Sequence, residues 1–552
     1  MGPQGGKKDE TPPRLLKSIP APNATKVQSQ IIQLHFDEYI QLEDVYNNVT
    51  VSPPQRKMPV IKLVGKKITV ELRDTLQENT TYTIDFGNAI ADNNEKNILK
   101  NFSFAFATGA EIDTLKIFGT VLNAQTLDPV AGGFVGIYDN LSDTAFTTMP
   151  FLRYTKSDAN GRFSIKNVRE GNFHVYAMSE NWNDAYHFDL KNPVSIAFAD
   201  SIIQPLSVSA NDTLKIADSI RFTNLILLQY EEIKEVDTVI VEANRERKEK
   251  FTLKFNQPQE KFPAIETQNF ELTEENFTWR FSPKNDEITF WLDSTLAKID
   301  TLNFFLRHLD EKTDSIEISL STKQTKTDNP VKITTNIVGG KLEYYDSLKI
   351  FFDFPVKDEV FEKIHLRPGR DTLDMPIRFF RQEKDDCLNT YAIAATFNEG
   401  ENYTLTIDSA AVFDVFGKAL NKTVVGFKYR PLSEYSTLAL DLQPFDERIV
   451  VELLNEKDQA VRQTKIEAGN TYFDYIEPGA YYLRLFIDEN ANETWDGGKY
   501  TEHRQPEKIF YYPKKISLRA NWEVQEDWNY LAVPFLQQKP QELKGKSATQ
   551  KK

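Results

Sequence analysis

Cysteine is almost missing: Cys387 is the only one in 552 residues. One thiol excludes an internal disulfide framework and every zinc or iron–sulfur site that needs several thiolates. It lies in the polar run Glu383-Lys384-Asp385-Asp386-Cys387 with no motif around it, which makes it an incidental thiol rather than a nucleophile. Long apolar runs are also missing, so no segment is expected to cross a membrane as a helix. Cations are scattered, and 66 Lys+Arg against 81 Asp+Glu leave a net charge of −15. Without a basic stripe to neutralise phosphates, nucleic acid is not an expected partner. There is no Gly-rich phosphate loop, and His174, His187, His308, His365 and His503 fall in no metalloprotease or triad spacing.

What is present favours strands. The length predicts three to five domains. Phe (38) and Tyr (22) are abundant, and Val, Ile and Thr fill most apolar stretches, a composition that suits pleated, half-buried surfaces. One alternating segment ending in Phe recurs three times: Ile31-Ile32-Gln33-Leu34-His35-Phe36, Phe251-Thr252-Leu253-Lys254-Phe255 and Leu348-Lys349-Ile350-Phe351-Phe352. Period two places Ile32, Leu34 and Phe36 on one face. About 40 to 60 residues after each, within the span of a small sandwich, comes a second marker. These are Asn79-Thr80-Thr81-Tyr82, Asp300-Thr301-Leu302-Asn303-Phe304 and Glu401-Asn402-Tyr403-Thr404. Three diverged copies of one domain are implied. A different unit occurs twice. Gly161-Arg162-Phe163-Ser164-Ile165 leads through Gly171 into Phe173-His174-Val175-Tyr176, and Thr471-Tyr472-Phe473 leads through Gly479 into Tyr481-Tyr482-Leu483. Both are expected to be hairpins with Gly at the turn, where a positive φ is tolerated.

The first copy adds Ala89-Ile90-Ala91-Asp92-Asn93-Asn94 and Phe104-Ala105-Phe106-Ala107-Thr108, and the third adds Phe413-Asp414-Val415-Phe416-Gly417-Lys418. This set resembles the bacterial Ig-like domain of S-layer type; the twice-repeated unit resembles the prealbumin-like, or carboxypeptidase regulatory-like, sandwich. In order, the units are similar to Ig-like outer-membrane lipoproteins of the Bacteroidota. The expected fold is all-β, an elongated tandem of Ig-like and prealbumin-like sandwiches. Residues 1–10 form a flexible tether, 11–110 an Ig-like domain and 111–230 a prealbumin-like sandwich with an extension. Residues 231–325 form a diverged Ig-like domain, 326–431 another, 432–537 a second prealbumin-like sandwich, and 538–552 a disordered basic tail.

The sharpest candidate site is Asp488-Glu489-Asn490-Ala491-Asn492-Glu493-Thr494-Trp495-Asp496-Gly497. Oxygen-bearing side chains at alternate positions can converge on a hard cation, with Asp488, Asn490, Asn492 and Asp496 as ligands to Ca2+. The loop departs from an EF-hand, having Lys499 where the bidentate Glu belongs, and the alternative is an Asn-rich loop held by its own Asx turns. The earlier counterpart, 179–184, has Ser179 in place of the first Asp and is expected to bind worse or not at all. No other cofactor is expected. A second pattern is Asp followed by Ser or Thr and then an apolar residue or Thr. It nominates Thr75, Thr114, Thr144, Ser201, Thr213, Ser219, Thr238, Ser294, Thr301, Ser315, Ser347, Thr372 and Ser409 as O-glycosylation acceptors, by resemblance to exported Bacteroidota proteins. Turn-to-strand transitions use the same residues. His35 and Glu38 spell H-x-x-E, the remnant of a zinc-peptidase reading that lacks a third ligand and a catalytic domain. Aromatics at Trp495, Tyr500, Phe510, Tyr511, Tyr512, Trp522, Trp528 and Tyr530 form either a glycan-stacking surface or sandwich core.

The resemblance implies a non-enzymatic, lipid-anchored outer-membrane protein, on the surface or periplasmic face, acting as a binding or scaffold subunit with a protein partner. The alternative is a carbohydrate-binding accessory protein that presents those aromatics to a glycan. A zinc peptidase is the remote third. The start, Met1-Gly2-Pro3-Gln4-Gly5-Gly6-Lys7-Lys8, has the composition of a tether and is expected to be a mature or truncated N-terminus. No Cys precedes Gly2, so the lipid anchor rests on the resemblance alone.

Overall fold

The computed structural model describes residues 10–181, 185–190, 194–207, 225–231, 238–259, 261–273, 275–282, 284–307, 313–320, 333–359, 361–369, 371, 373–381, 390–414, 416–466 and 469–545. Cys387 lies outside them. The protein is all-β, a tandem of β-sandwiches, and among the described residues no helix is long and apolar enough to cross a membrane.

In the first sandwich, Leu15–Ile19, Ile31–Phe36, Lys67–Glu71 and Val60–Val64 form one sheet, in that order. Thr50–Ser52, Thr81–Gly87 and Phe102–Ala107 form the other. The alternation in Ile31–Phe36 turns Ile32, Leu34 and Phe36 inward, where they meet Ile68, Val70, Ile84 and Phe104. Two motif residues have defined tasks. Tyr82 stacks on Phe106, and its hydroxyl accepts a hydrogen bond from Gln77 N at 2.8 Å; Tyr403 does the same with Asn398 N at 2.7 Å, in another sandwich. Each is a tyrosine tying its strand back to the chain five residues upstream, a device known in Ig-type folds. Asp92 Oδ1 accepts from Asn94, Glu95 and Lys96 N, and Oδ2 from Asn97 N. Burial raises the cost of its charge, but four N–H donors outweigh that and hold the carboxyl below its ordinary range. Asp414 has only two such donors, Phe416 and Lys418 N, and there burial wins and the pKa rises. The copy at 238–320 keeps the strand pattern, with Phe251, Leu253 and Phe255 in its core, and has Leu302 where the others have tyrosine.

The expected hairpins are not hairpins. Arg162–Val168 pairs with Leu115–Asn123, whereas His174–Met178 pairs with Phe134–Tyr138 and Ser195–Phe198. Asn470–Ile476 pairs with Ser436–Gln443, whereas Gly479–Ile487 pairs with Ile449–Leu454 and Ile509–Tyr511. Each Gly-containing turn therefore joins strands that do not pair: Asn470–Ile476 and Gly479–Ile487 belong to different sheets, whereas Arg162–Val168 and His174–Met178 lie apart in one seven-stranded sheet whose two parts share a core. Both strands of each pair carry an apolar face, and facing layers bury those faces against one another.

The expectation of modules simply in series needs correction, because the sandwich at 436–530 returns to pack on the one at 115–231. Leu127 joins a cluster with Val450, Tyr482, Phe486, Tyr511 and Leu543, and Tyr500 inserts among Tyr138, Phe146, Tyr176, Phe188 and Phe198. The Tyr500 hydroxyl donates to Asp143 O, and Gln505 Nε2 donates to Phe198 O at 3.0 Å. The approach is close: a Cβ on Gly498 would stand 2.5 Å from the Tyr230 ring. For residues 538–545 the tail expectation is corrected too, and 546–552 lie outside the described residues. Gln538, Lys539 and Leu543 are buried, and the Lys539 ammonium lies 2.8 Å from Asp128 and 2.9 Å from Asp458. Other seams have their own cations, Arg153 and Arg430 buried and Arg247 half-buried. Arg153, between the first two sandwiches, donates to Thr81 O at 2.5 Å and to Thr83 Oγ1 at 2.7 Å, and burial pushes its pKa down to about 10. Arg430 bridges Glu343 at 2.9 Å and Glu477 at 2.8 Å. Arg247 pairs with Asp353 at 2.8 Å.

Two outcomes follow. Lys539→Ala, which strands Asp458 in the interior, is expected to cost about 3–5 kcal/mol in chemical denaturation; a cost under about 1 kcal/mol would mean that the pair is solvated. Asp92 has a folded pKa below 3.8, so its contribution is complete at neutral pH and is lost as pH falls through that value. Asp92→Asn should therefore flatten the acid limb of the stability curve, measured by denaturation between about pH 2 and 5.

Candidate functional site

Asp488, Asn490, Asn492 and Asp496 do come together, but as a loop closed on itself. Asp488 Oδ1 accepts from Asn492 N at 3.2 Å and Oδ2 from Glu493 N at 2.8 Å. The side-chain amides of Asn490 and Asn492 each donate to Asp496 Oδ2 at 2.7 Å. The residue the sequence reading missed is Glu507, whose carboxylate accepts from Glu489 N at 2.8 Å and Asp496 N at 3.0 Å. Burial pushes its pKa up, against those two N–H groups. To ligate calcium, the Asn490 and Asn492 amides, which donate to Asp496, would have to turn their oxygens inward, whereas the backbone N–H groups on Asp488 leave its oxygens further lone pairs. Among the described residues no three acids, histidines or cysteines converge as ligands. The loop's visible work is mechanical: it delivers Trp495, Gly498 and Tyr500 to the neighbouring sandwich, with Trp495 Nε1 anchored on Glu507 O at 2.9 Å. In the counterpart loop Ser179 and Asn181 are described; Asn183 and Asp184 are not.

The C-terminal aromatics do not form a stacking surface. Tyr500, Phe510, Tyr511, Tyr512, Trp528 and Tyr530 are buried, Trp495 is half-buried, and Trp522 alone is well exposed. Apolar rings on alternating strands of a two-layer sandwich are its core, as Phe510, Tyr512, Trp528 and Tyr530 show by packing together. His35 lies half-buried on the strand face opposite Leu34 and Phe36, and among the described residues it belongs to no group of three acids, histidines or cysteines that could hold a metal. The glycosylation candidates divide by exposure. Thr75, Thr114, Thr144, Ser201, Ser294, Ser315, Ser347 and Ser409 are exposed, Thr238 and Thr301 half-buried, and Thr213, Ser219 and Thr372 outside the described residues.

A cleft that no motif announced lies where the first sandwich meets the second. The helical turn Val45–Asn48 and strand Thr50–Ser52 form one wall, and Phe134, Tyr154, Lys156, Asn181 and Tyr186 form the other. Its enclosed volume is about 100 Å³, well below that of a small-molecule site. Tyr154 N donates to Ser52 Oγ at 3.2 Å and Lys156 Nζ to Asn47 O at 3.2 Å, which fixes the walls relative to one another. Two side-chain atoms of its lining residues, Gln55 Oε1 and Asn181 Nδ2, are shut off from solvent and have no hydrogen-bond partner. Such an atom costs about 1–3 kcal/mol if left unpaired.

Residues 9–108 match the family described as a bacterial Ig-like domain. No curated protein matches the chain. Among solved structures, it is similar to domains 1–6 of the surface layer protein SbsC at 11% identity, covering 92% of this chain and 67% of that one, with a TM-score of 0.15. A longer structure of the S-layer protein SbsC is 12% identical, covering 86% of this chain and 64% of that one, with a TM-score of 0.13. Salmonella alpha-2-macroglobulin is 11% identical, covering 91% and 42%, with a TM-score of 0.14. TM-scores this low carry no argument about arrangement or activity.

The loop's role can be separated from calcium binding. Asp488→Ala is expected to lower stability by about 2 kcal/mol, equally in EDTA and in millimolar Ca2+. A calcium-dependent rise in melting temperature of the wild type, lost in the variant, would restore the metal reading.

Proposed function

We propose that this protein is a non-enzymatic scaffold or binding subunit of a bacterial cell envelope. In the fuller form of this reading it is a lipid-anchored outer-membrane protein of Bacteroidota type, and it holds a protein partner. The observation that carries the reading is a set of buried charges that join one sandwich to another. Perturbed ionisable groups tend to gather at reaction centres in enzymes. Here Arg153, Arg430, Arg484 and Asp458 lie at seams between sandwiches. At Arg430 burial opposes the charge, and the carboxylates of Glu477 and Glu343 more than offset it, so the guanidinium is held above its ordinary range. Seams of this kind transmit force and fix angles between modules, which a scaffold requires and a lone catalytic cleft does not. The bacterial Ig-like domain at residues 9–108 supports a place at the cell surface. The exposed Asp-Ser/Thr sites suit export with glycosylation.

The experiment is purification of the native protein from its own membranes in mild detergent, followed by mass spectrometry of the intact chain and of its companions. A lipid-bearing N-terminus, hexose-bearing peptides around Thr75 or Ser347, and a stoichiometric envelope protein are expected. Recovery as a lipid-free, unpartnered chain would remove the scaffold reading.

A further inference from the structure

We propose that this chain associates head to tail with a second copy of itself, the free sheet face of the first sandwich in one copy meeting the free sheet face of the fifth in the other. The first and fifth units each turn one sheet toward the second unit and the other away from it. In the first, Thr81, Thr83 and Asp85 reach the second unit from the sheet that contains Thr81–Gly87. The sheet of Leu15–Ile19, Ile31–Phe36, Lys67–Glu71 and Val60–Val64 is left free. In the fifth, Val450, Tyr482 and Phe486 meet Leu127 of the second unit from the sheet that contains Ile449–Leu454 and Gly479–Ile487. Asn470–Ile476, Ser436–Gln443 and Glu523–Asn529 form the sheet that is left free.

The two free faces are opposite in charge. On the first, strand pairing sets Lys17 beside His35, His35 beside Lys67 and Lys67 beside Val64, with Lys62 one row on beside Thr69. Glu71 is the one acid among the outward side chains of these strands. On the fifth, Asp441 lies directly opposite Asp527 and Thr437 opposite Glu523, with Asp474 bonded to Thr437 at 3.3 Å. The three strands of that face contain no Lys, Arg or His. Like charges set opposite one another on neighbouring strands destabilise a sheet, and among the described residues neither Asp441, Asp527 and Glu523 nor the three lysines have an ion-pair partner. Each face also holds apolar groups in water: Ile19, Ile31 and Val64 on the first, with Val64 71% exposed, and Tyr472, 59% exposed, on the fifth. A basic and an acidic face, both partly apolar, are complements, and contact between them removes the like-charge cost on each. Because unlike faces meet, a pair of copies still has one of each free, so association continues as an open chain. Each face measures roughly 300 Å² from its strand number and length, less than the ~800 Å² per partner of a stable complex. The single contact is therefore weak, with a Kd on the order of 0.1 mM, and it accumulates where copies are held close together.

The assignment goes beyond the envelope reading, and its test uses the purified full-length chain alone. Sedimentation velocity at about 0.3 mM is expected to show a mass that rises with concentration in low salt and falls to that of the monomer at about 0.5 M NaCl, where surface charges are screened. Carbodiimide, which condenses a carboxylate with an amine, is applied to a mixture of 14N and 15N chains. It should join Lys17, Lys62 or Lys67 of one copy to Asp441, Glu523 or Asp527 of another. The triple variant Lys17→Glu, Lys62→Glu, Lys67→Glu and the triple variant Asp441→Lys, Glu523→Lys, Asp527→Lys should each stay monomeric, and an equimolar mixture of the two should associate again. The wild-type cross-links decide the matter if either variant fails to fold. A wild-type chain that is monomeric at low salt, association that either folded variant retains alone, a mixture of folded variants that stays monomeric, or cross-links confined to other faces would overturn the assignment. Capture on phosphatidylglycerol vesicles without self-association would also overturn it and give the lysine face to an anionic membrane. Such a failure would leave the envelope reading standing, since that depends on what accompanies the native chain.

Discussion

An ammonium ion taken out of water must be paired, and at Lys539 the pairing is made by two carboxylates from different sandwiches, Asp128 and Asp458. The arrangement of the second and fifth units depends on that contact and on the aromatic cluster beside it. The other seams repeat the principle with guanidinium groups, which can donate in several directions at once. Arg153 spans units one and two, Arg247 three and four, and Arg430 four and five. Contacts therefore run from the first unit to the second, the second to the fifth, the fifth to the fourth and the fourth to the third. The sequence order is not the spatial order.

Much of the fold was legible because strands announce themselves locally. Period-two alternation in Ile31–Phe36 and Leu348–Phe352 identified the inward residues without any knowledge of what they meet. Tyr82, Tyr403, Asp92 and Asp414 were visible as motif positions, and the structure adds their work as acceptors for nearby backbone N–H groups. What was illegible was whatever depends on distant partners. A Gly turn between two alternating segments looks the same whether the strands pair or take other partners, and both Gly171 and Gly479 were misjudged for that reason. Polar residues from Gln538 onward look like a tail until Asp128 and Asp458 are placed opposite Lys539.

The candidate sites show the same division. The Asp488 loop was found by its spacing, but spacing cannot say whether an Asn presents oxygen inward or its amide to Asp496, and Glu507 closes the loop from outside it. The aromatic run at 495–530 was noticed by composition, and its burial was decided by two packed layers. Gln55 and Asn181 carry no motif. One lies in a Pro-containing loop of the first unit and the other after a strand of the second, and both line one cleft because Arg153 and Tyr154 seat one sandwich on the other.

The closure between Asp128 and the C-terminal segment spans 417 positions of chain, as the bond from Gly545 N to Asp128 shows. A ribosome adds roughly 5–20 residues per second. The residues of the second sandwich are therefore made some tens of seconds before those of the fifth. Until the fifth is present, Leu127, Tyr138, Phe146 and Tyr230 lack partners that they have in the finished chain, so the second unit cannot take up its final packing before nearly all of the chain exists.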